Sequence, residues 1–189
     1  MQKLLGFARA DHRRVFAIAL PMMISNIAAP LLGLVDTAII GHLPNSVYLS
    51  SVAIGAMVVS FIYLLAVFLR MATTGAIAQA FGADDQTEQH QLFTHGILTA
   101  LILGVVIISL SPFITSVSLW LVAPDPKLLN YATDYIQIRL WSAPAALTTL
   151  ICLGVLLGRQ DSRRAMWLVI ITNFVNVVLD LILIVGLNM

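Results

Sequence analysis

Five stretches of mostly apolar residues, each long enough to cross a bilayer, fill most of this 189-residue chain. They run from about Val15 to Ile40, Tyr48 to Ala80, Leu92 to Leu121, Tyr131 to Leu157 and Ala165 to Leu187. A membrane-crossing helix needs about 20 such residues, because the hydrocarbon core is about 30 Å thick and a helix rises about 1.5 Å per residue. No water is present there to satisfy backbone polar groups, so a lipid-exposed span is a helix or part of a closed barrel. The runs show no strand-like alternation, which leaves the helix. The sequence predicts an all-α, polytopic helical bundle in a membrane.

The breaks between runs carry turn chemistry: Gly41 to Ser46, Gly82 to Asp85, Pro124-Asp125-Pro126, and Gly158 to Ser162. These loops are short, so consecutive spans are expected to run antiparallel. Asp11 and His12 interrupt the N-terminal region, and the run from Val15 is of span length, so no cleavable signal peptide is expected.

Composition agrees with the bilayer as solvent. Residues of hydrophobic type make up 60% of the chain and charged residues 10%, against about 25% charged in a soluble domain. The net charge of +1 gives no basic footprint for nucleic acid. The single cysteine, Cys152, lies in an apolar run and forms no internal disulfide. Lys and Arg set the orientation. Lys3, Arg9, Arg13, Arg14, Arg159, Arg163 and Arg164 fall on one side of a five-span chain, and only Lys127 on the other. That bias places the N-terminus in the cytoplasm.

Against this background a few polar residues are costly. A charge at the centre of a span costs about 2.5–3.5 kcal/mol to insert, and such residues normally face a cavity or a partner. Asp36 lies in the first span, roughly 6–8 Å from its outer end, and Asp180 in the fifth, roughly 10 Å from its outer end. Two acids at similar depth on different helices suggest one site in the outer half of the membrane. Asn173 and Asn176 share a helix face with Asp180, at spacings of three and four. Such a stripe suits water, an ion, or hydrogen bonds to a neighbouring helix. Arg139 lies about two turns into the fourth span and either pairs with Asp134 or a buried acid, or snorkels outward. Pro21 and Pro30 each remove a hydrogen bond from the first span, so the helix carrying Asp36 is able to bend. Pro112 and Pro144 carry less weight here, because no buried acid shares their helices. Ser51, Gly55, Ala72, Ala76 and Ala80 read as a small-residue packing stripe on the second span.

Other chemistries find little support. His12, His42, His90 and His95 are scattered, and no metal set emerges. The chain has no phosphate-binding Walker loop and no nucleophile elbow. Neither an enzyme nor a bound cofactor is expected.

Several segments together resemble a known family. Ala19-Leu20-Pro21 followed by Leu34-Val35-Asp36-Thr37-Ala38-Ile39-Ile40-Gly41-His42-Leu43 is similar to the first helix of multidrug and toxic compound extrusion (MATE) transporters. Ala78-Gln79-Ala80-Phe81-Gly82-Ala83, Gly158-Arg159-Gln160-Asp161-Ser162, and Asn173, Asn176 and Asp180 ahead of Gly186 resemble the family's second helix, fourth loop and fifth helix. The ensemble looks most like the DinF branch. The resemblance implies two six-helix lobes related by pseudo-twofold symmetry. Residues 1–189 would then be part of the N-terminal lobe, holding five of its six helices, and a piece of a longer product. It implies exchange of protons or sodium for cationic or amphipathic compounds. It also assigns Asp36, Asn176 and Asp180 to the ion site of the proton-coupled type. The implied partners are membrane lipid, the transported compounds and the remaining lobe, and the implied location is a bacterial inner membrane.

The physics of such a site is direct. Desolvation penalises a buried carboxylate in its charged form, and a bound proton or sodium ion cancels that charge. Neutralising Asp36 or Asp180 would rearrange hydrogen bonds between the first and fifth spans, bend the first near Pro21 or Pro30, and expel a bound cation. Carboxylates and amides suit either ion; the preference for a proton comes from the resemblance. Two other classes remain open: a lipid-linked precursor flippase of the same superfamily, which calls for a more cationic cavity, and a non-transporting membrane assembly module, which needs no matched acids.

Overall fold

The computed structural model describes residues 16, 19–27, 31, 33–34, 46–180 and 182. All described regular structure is helical. Five helices follow in order: α1 (Ser46–Gly82), α2 (Gln86–Val122), α3 (Pro126–Trp141), α4 (Ala143–Gly158) and α5 (Ser162–Asp180). Residues 19–27, within the first predicted span, are helical too. Among the described residues, α1 and α2 are each long and apolar enough to cross a membrane, and α3 with α4 qualifies as one bent span. The chain divides into two compact units, residues 40–158 and residues 1–39 with 159–189.

Helix boundaries are set by caps that hydropathy does not register. The Asp85 side chain accepts from Glu88 N at 2.9 Å and starts α2 six residues before the predicted edge. Those extra residues are polar, so the helix extends past its apolar stretch. Asp125 accepts from Lys127 N at 2.9 Å, with Pro126 at the first helical position of α3. Proline has no N–H to leave unsatisfied there. Asp161 accepts from Arg164 N at 3.1 Å and starts α5. Each acid therefore satisfies an orphan N–H of a helix start. Between α2 and α3, Ala123 takes a left-handed conformation (φ 46°) and donates to Leu119 O at 2.9 Å, closing α2 before the two prolines.

The predicted fourth span, expected as one helix from about Tyr131 to Leu157, is two helices meeting at Ser142 with a 49° bend. The cause is Pro144, the proline given little weight above. Its nitrogen has no hydrogen for the Leu140 carbonyl, and its ring crowds that carbonyl. Ser142 takes over: its N–H donates to the carbonyls of Arg139 and Leu140, and its hydroxyl donates to Arg139 O at 2.7 Å. The Tyr63 hydroxyl of α1 donates to the same Arg139 O at 3.3 Å. Pro112, by contrast, sits inside the continuous helix α2. We expect Pro144→Ala to restore the missing hydrogen bond and straighten the span. Spin labels at Asn130 and Leu156 should then move apart by about 3–4 Å, from the helix rise and the change in angle. An unchanged distance would mean that neighbouring helices, not the proline, impose the bend.

In the unit of residues 40–158, α1 packs against both α3 and α4, and α2 packs chiefly against α4. Two apolar clusters form. Val58, Val59, Leu119, Ala132, Ile136 and Leu140 join α1, α2 and α3; Ala66, Leu69, Ala100, Leu147 and Ile151 join α1, α2 and α4. Large apolar side chains remain outside, among them Phe61, Leu64, Leu65 and Phe68 of α1 and Phe113, Trp120 and Leu121 of α2. A surface of this kind suits lipid rather than water.

Lipid tails solvate an apolar side chain about as well as a protein does, so close approach by small residues decides how membrane helices associate. The predicted packing stripe is right at one end of α1: Ser51 is fully buried and Gly55 lies under the Tyr135 ring. At the other end Ala80 is buried and Ala76 half-buried, as expected, but Ala72 is exposed, and the row at the α4 crossing is Arg70, Thr73, Thr74 and Ile77. That row meets Gly154 and Gly158 of α4, a small-x-x-x-small pair that the reading of α1 alone does not find. A Cβ on Gly158 would lie 2.8 Å from Thr74 O, and one on Gly154 would lie 3.0 Å from Arg70 O. Gly104 of α2 approaches Pro144 as closely, at 2.6 Å from a built Cβ to Pro144 Cα.

Candidate ion-coupling site

The candidate site residues of helix α5 belong to the unit of residues 1–39 and 159–189. Gln160 enters this helix through a left-handed turn (φ 59°), and Asp161 caps it while pairing with Arg164 at 3.2 Å. Burial around α5 follows a 3.6-residue period. Ile171, Phe174 and Val175 are exposed on one side. Ser162 and Ala165 are buried on the other, and Asn173 and Asn176, half-buried, lie on that side too. At 100° per residue, Asn173, Asn176 and Asp180 fall within about 60° of one another. The amide stripe is thus turned away from the exposed apolar side of its helix.

The Asn173 Nδ2 is buried and finds no hydrogen-bond partner among the described residues. A buried donor left unmatched costs about 1–3 kcal/mol, so this position calls for an acceptor. Asp180 is the last residue of α5; its side chain, like the whole of Asp36 and Pro30, lies outside the described residues. Pro21 is buried, and its carbonyl accepts from the Ser25 hydroxyl at 2.9 Å. A serine bonded back to the preceding turn often accompanies a helix bend.

Arg139 is exposed on α3 and makes no ion pair with Asp134. Five residues apart on a helix, the two point about 140° away from each other. What sequence reasoning missed at this position is the backbone. The Arg139 carbonyl is the acceptor that bridges the α3–α4 break to Tyr63, and the signal for it was Pro144 inside a predicted span. A groove of about 550 Å³ lies near Trp120, Pro124, Thr133 and Gln137. None of the predicted site residues lines it.

The sequence matches the MatE family over residues 21–182. The chain belongs to the MATE family. It is 43% identical to DNA damage-inducible protein F of Escherichia coli K12, over 98% of this chain and 40% of that protein. It is 25% identical to the probable multidrug resistance protein NorM of Thermotoga maritima, over 93% of this chain and 38% of that protein. The fold is similar to an outward-facing multidrug resistance MATE family transporter, with a TM-score of 0.81 and 30% identity, covering 92% of this chain and 38% of that one. The chain thus spans about two fifths of the length of the relatives it matches. Membership makes it a multi-pass membrane protein of a transporter family, not of an enzyme family, and agrees with the DinF-like reading of its motifs.

Proposed function

We propose that this chain supplies the ion-binding lobe of a cation-coupled antiporter that exports cationic or amphipathic compounds. Asp36 and Asp180 carry the charge that the ion neutralises, and Asn176 hydrogen-bonds the carboxylate in either state. The observation that supports this most is the placement of the α5 stripe. Asn173 and Asn176 share a helix face with Asp180, on the side opposite exposed Ile171, Phe174 and Val175. A transmembrane helix has no reason to keep two amides on its sheltered side, in register with an acid, unless something polar meets them. Pro21, with its Ser25 bond, and Pro30 are the hinge through which neutralisation reshapes the first span. The excess of Lys and Arg around the N-terminus and the α4–α5 loop supports a cytoplasmic N-terminus in a bacterial inner membrane. The remaining lobe completes the pathway, with membrane lipid around it.

One proton moving down a gradient of one pH unit yields about 1.4 kcal/mol, enough for about tenfold accumulation. A proton is the preferred ion on family resemblance, with sodium as the competitor. Efflux of a cationic dye by the complete transporter in vesicles, with pH and sodium gradients imposed separately, tests the reading. A pH gradient alone should drive efflux. If neither gradient moves the dye, the coupling assignment is wrong.

A further inference from the structure

We propose that Asn173 holds a water molecule which, shared with Asn176, extends the ion site inward from Asp180 and forms its hydrated floor. This deepens the ion-site reading above and rests on it. The starting point is the buried Asn173 Nδ2, with no acceptor among the described residues. Its neighbours one turn away on the same face of α5 are Val169, Ile170, Asn176 and Val177. Asn176 is the one polar residue of these. Residues three apart on a helix have Cβ atoms about 5–6 Å apart. Two short amide side chains at that separation suit one bridging water, with two legs of ordinary hydrogen-bond length. The water accepts from the buried Nδ2 and donates to the Asn176 carbonyl oxygen, and a buried water with two to four such partners is a stable element of a fold.

The position fixes the role. Asn173 is seven residues from Asp180, about 10 Å along the helix, too far for direct contact with its carboxylate. On the cytoplasmic-N-terminus orientation that distance leads inward. Beyond Asn173 the same face is apolar for about two turns, with Val169, Met166 and Ala165, until Ser162 at the helix start. The hydrated stretch therefore ends at Asn173. When Asp180 gives up its proton, the carboxyl O–H bond breaks and an O–H bond forms to water on the stripe. The carboxylate is left negative and the positive charge moves onto hydronium. The water at Asn173 solvates that charge at the inner end. Removing it slows proton release without touching the affinity for cargo.

The test uses the complete transporter in proteoliposomes. A pH-sensitive dye follows proton release when a cationic substrate dye is added, and fluorescence polarisation follows equilibrium dye binding. Asn173→Leu, apolar and of similar size, should slow proton release about tenfold, with dye affinity unchanged within about twofold. Asn173→Ser, which still holds water, should restore the rate. Asn173→Ala replaces the leucine variant if that protein does not fold, with the same expectation. Unchanged proton release overturns the proposal, and so does lost dye affinity with normal release, which would make Asn173 a cargo contact. Asp180→Asn is run beside them. Normal proton release there would sink the ion-site reading itself, whatever Asn173 does.

Discussion

In the complete transporter, Asp180→Asn should abolish ion-driven efflux, and Asp36→Asn should do the same. Each substitution keeps the size and a hydrogen-bonding capacity of the side chain but removes the charge that a proton or sodium ion would cancel. Without that charge the ion has equal affinity for the two conformations, and an ion with no differential affinity shifts no equilibrium. The expected loss is the whole coupled gradient, about tenfold in dye accumulation per pH unit imposed. The double variant should be no worse than either single one, because residues acting as one site are not additive. Arg139→Gln is the contrast. Its side chain is exposed and free of any ion pair among the described residues, so efflux should persist within about twofold, the range of an exposed side chain. Dye efflux in vesicles under a fixed pH gradient measures all four. Full efflux by Asp180→Asn would remove the site from α5. Strong loss in Arg139→Gln would instead move attention to the α3–α4 break.

The sequence carried much of this fold because lipid leaves few options. Apolar runs of span length allow helices, and the described residues of these runs are helical outside the break at Ser142. What hydropathy could not reveal is where chain direction changes. Asp85, Asp125 and Asp161 read as loop acids, yet each caps a helix; a cap is a side-chain-to-backbone bond and leaves no mark on an apolarity profile. Pro144 shares its span with no buried acid and so attracts little notice, yet it acts on the backbone, through a hydrogen bond it cannot make. The α5 stripe was legible because three polar residues at helical spacing stand out among valines and leucines. Its sheltered placement was not, since a period of 3.6 says which residues share a face but not which way that face turns. That the Asn173 amide nitrogen is buried without an acceptor among the described residues follows only from three-dimensional packing.

The α1–α4 crossing offers the sharpest test of the packing. Gly158→Leu should destabilise the complete transporter severely, and Gly154→Leu nearly as much. At Gly158 the new Cβ would meet a backbone carbonyl, Thr74 O at 2.8 Å, and the Ile77 Cβ at 2.8 Å. Neither atom is the loose end of a flexible side chain, so the helices must separate. Overpacking commonly costs about 1–3 kcal/mol, and here separation would also open the cluster of Ala66, Leu69, Leu147 and Ile151. In lipid no hydrophobic force drives the helices back together. Gly75, on the exposed side of α1, has nothing within 4 Å of a built Cβ. Gly75→Ala should therefore raise stability, by up to about 1 kcal/mol, the propensity gain of alanine over glycine inside a helix. Thermal unfolding in detergent, read by monodispersity after heating, separates the two cases. Lower melting for Gly158→Leu with nearly unchanged melting for Gly75→Leu, beside unchanged or higher melting for Gly75→Ala, ties stability to close approach at one helix face, because a leucine at the two positions differs only in what faces it. Equal effects would mean that glycine content, rather than this crossing, governs the bundle.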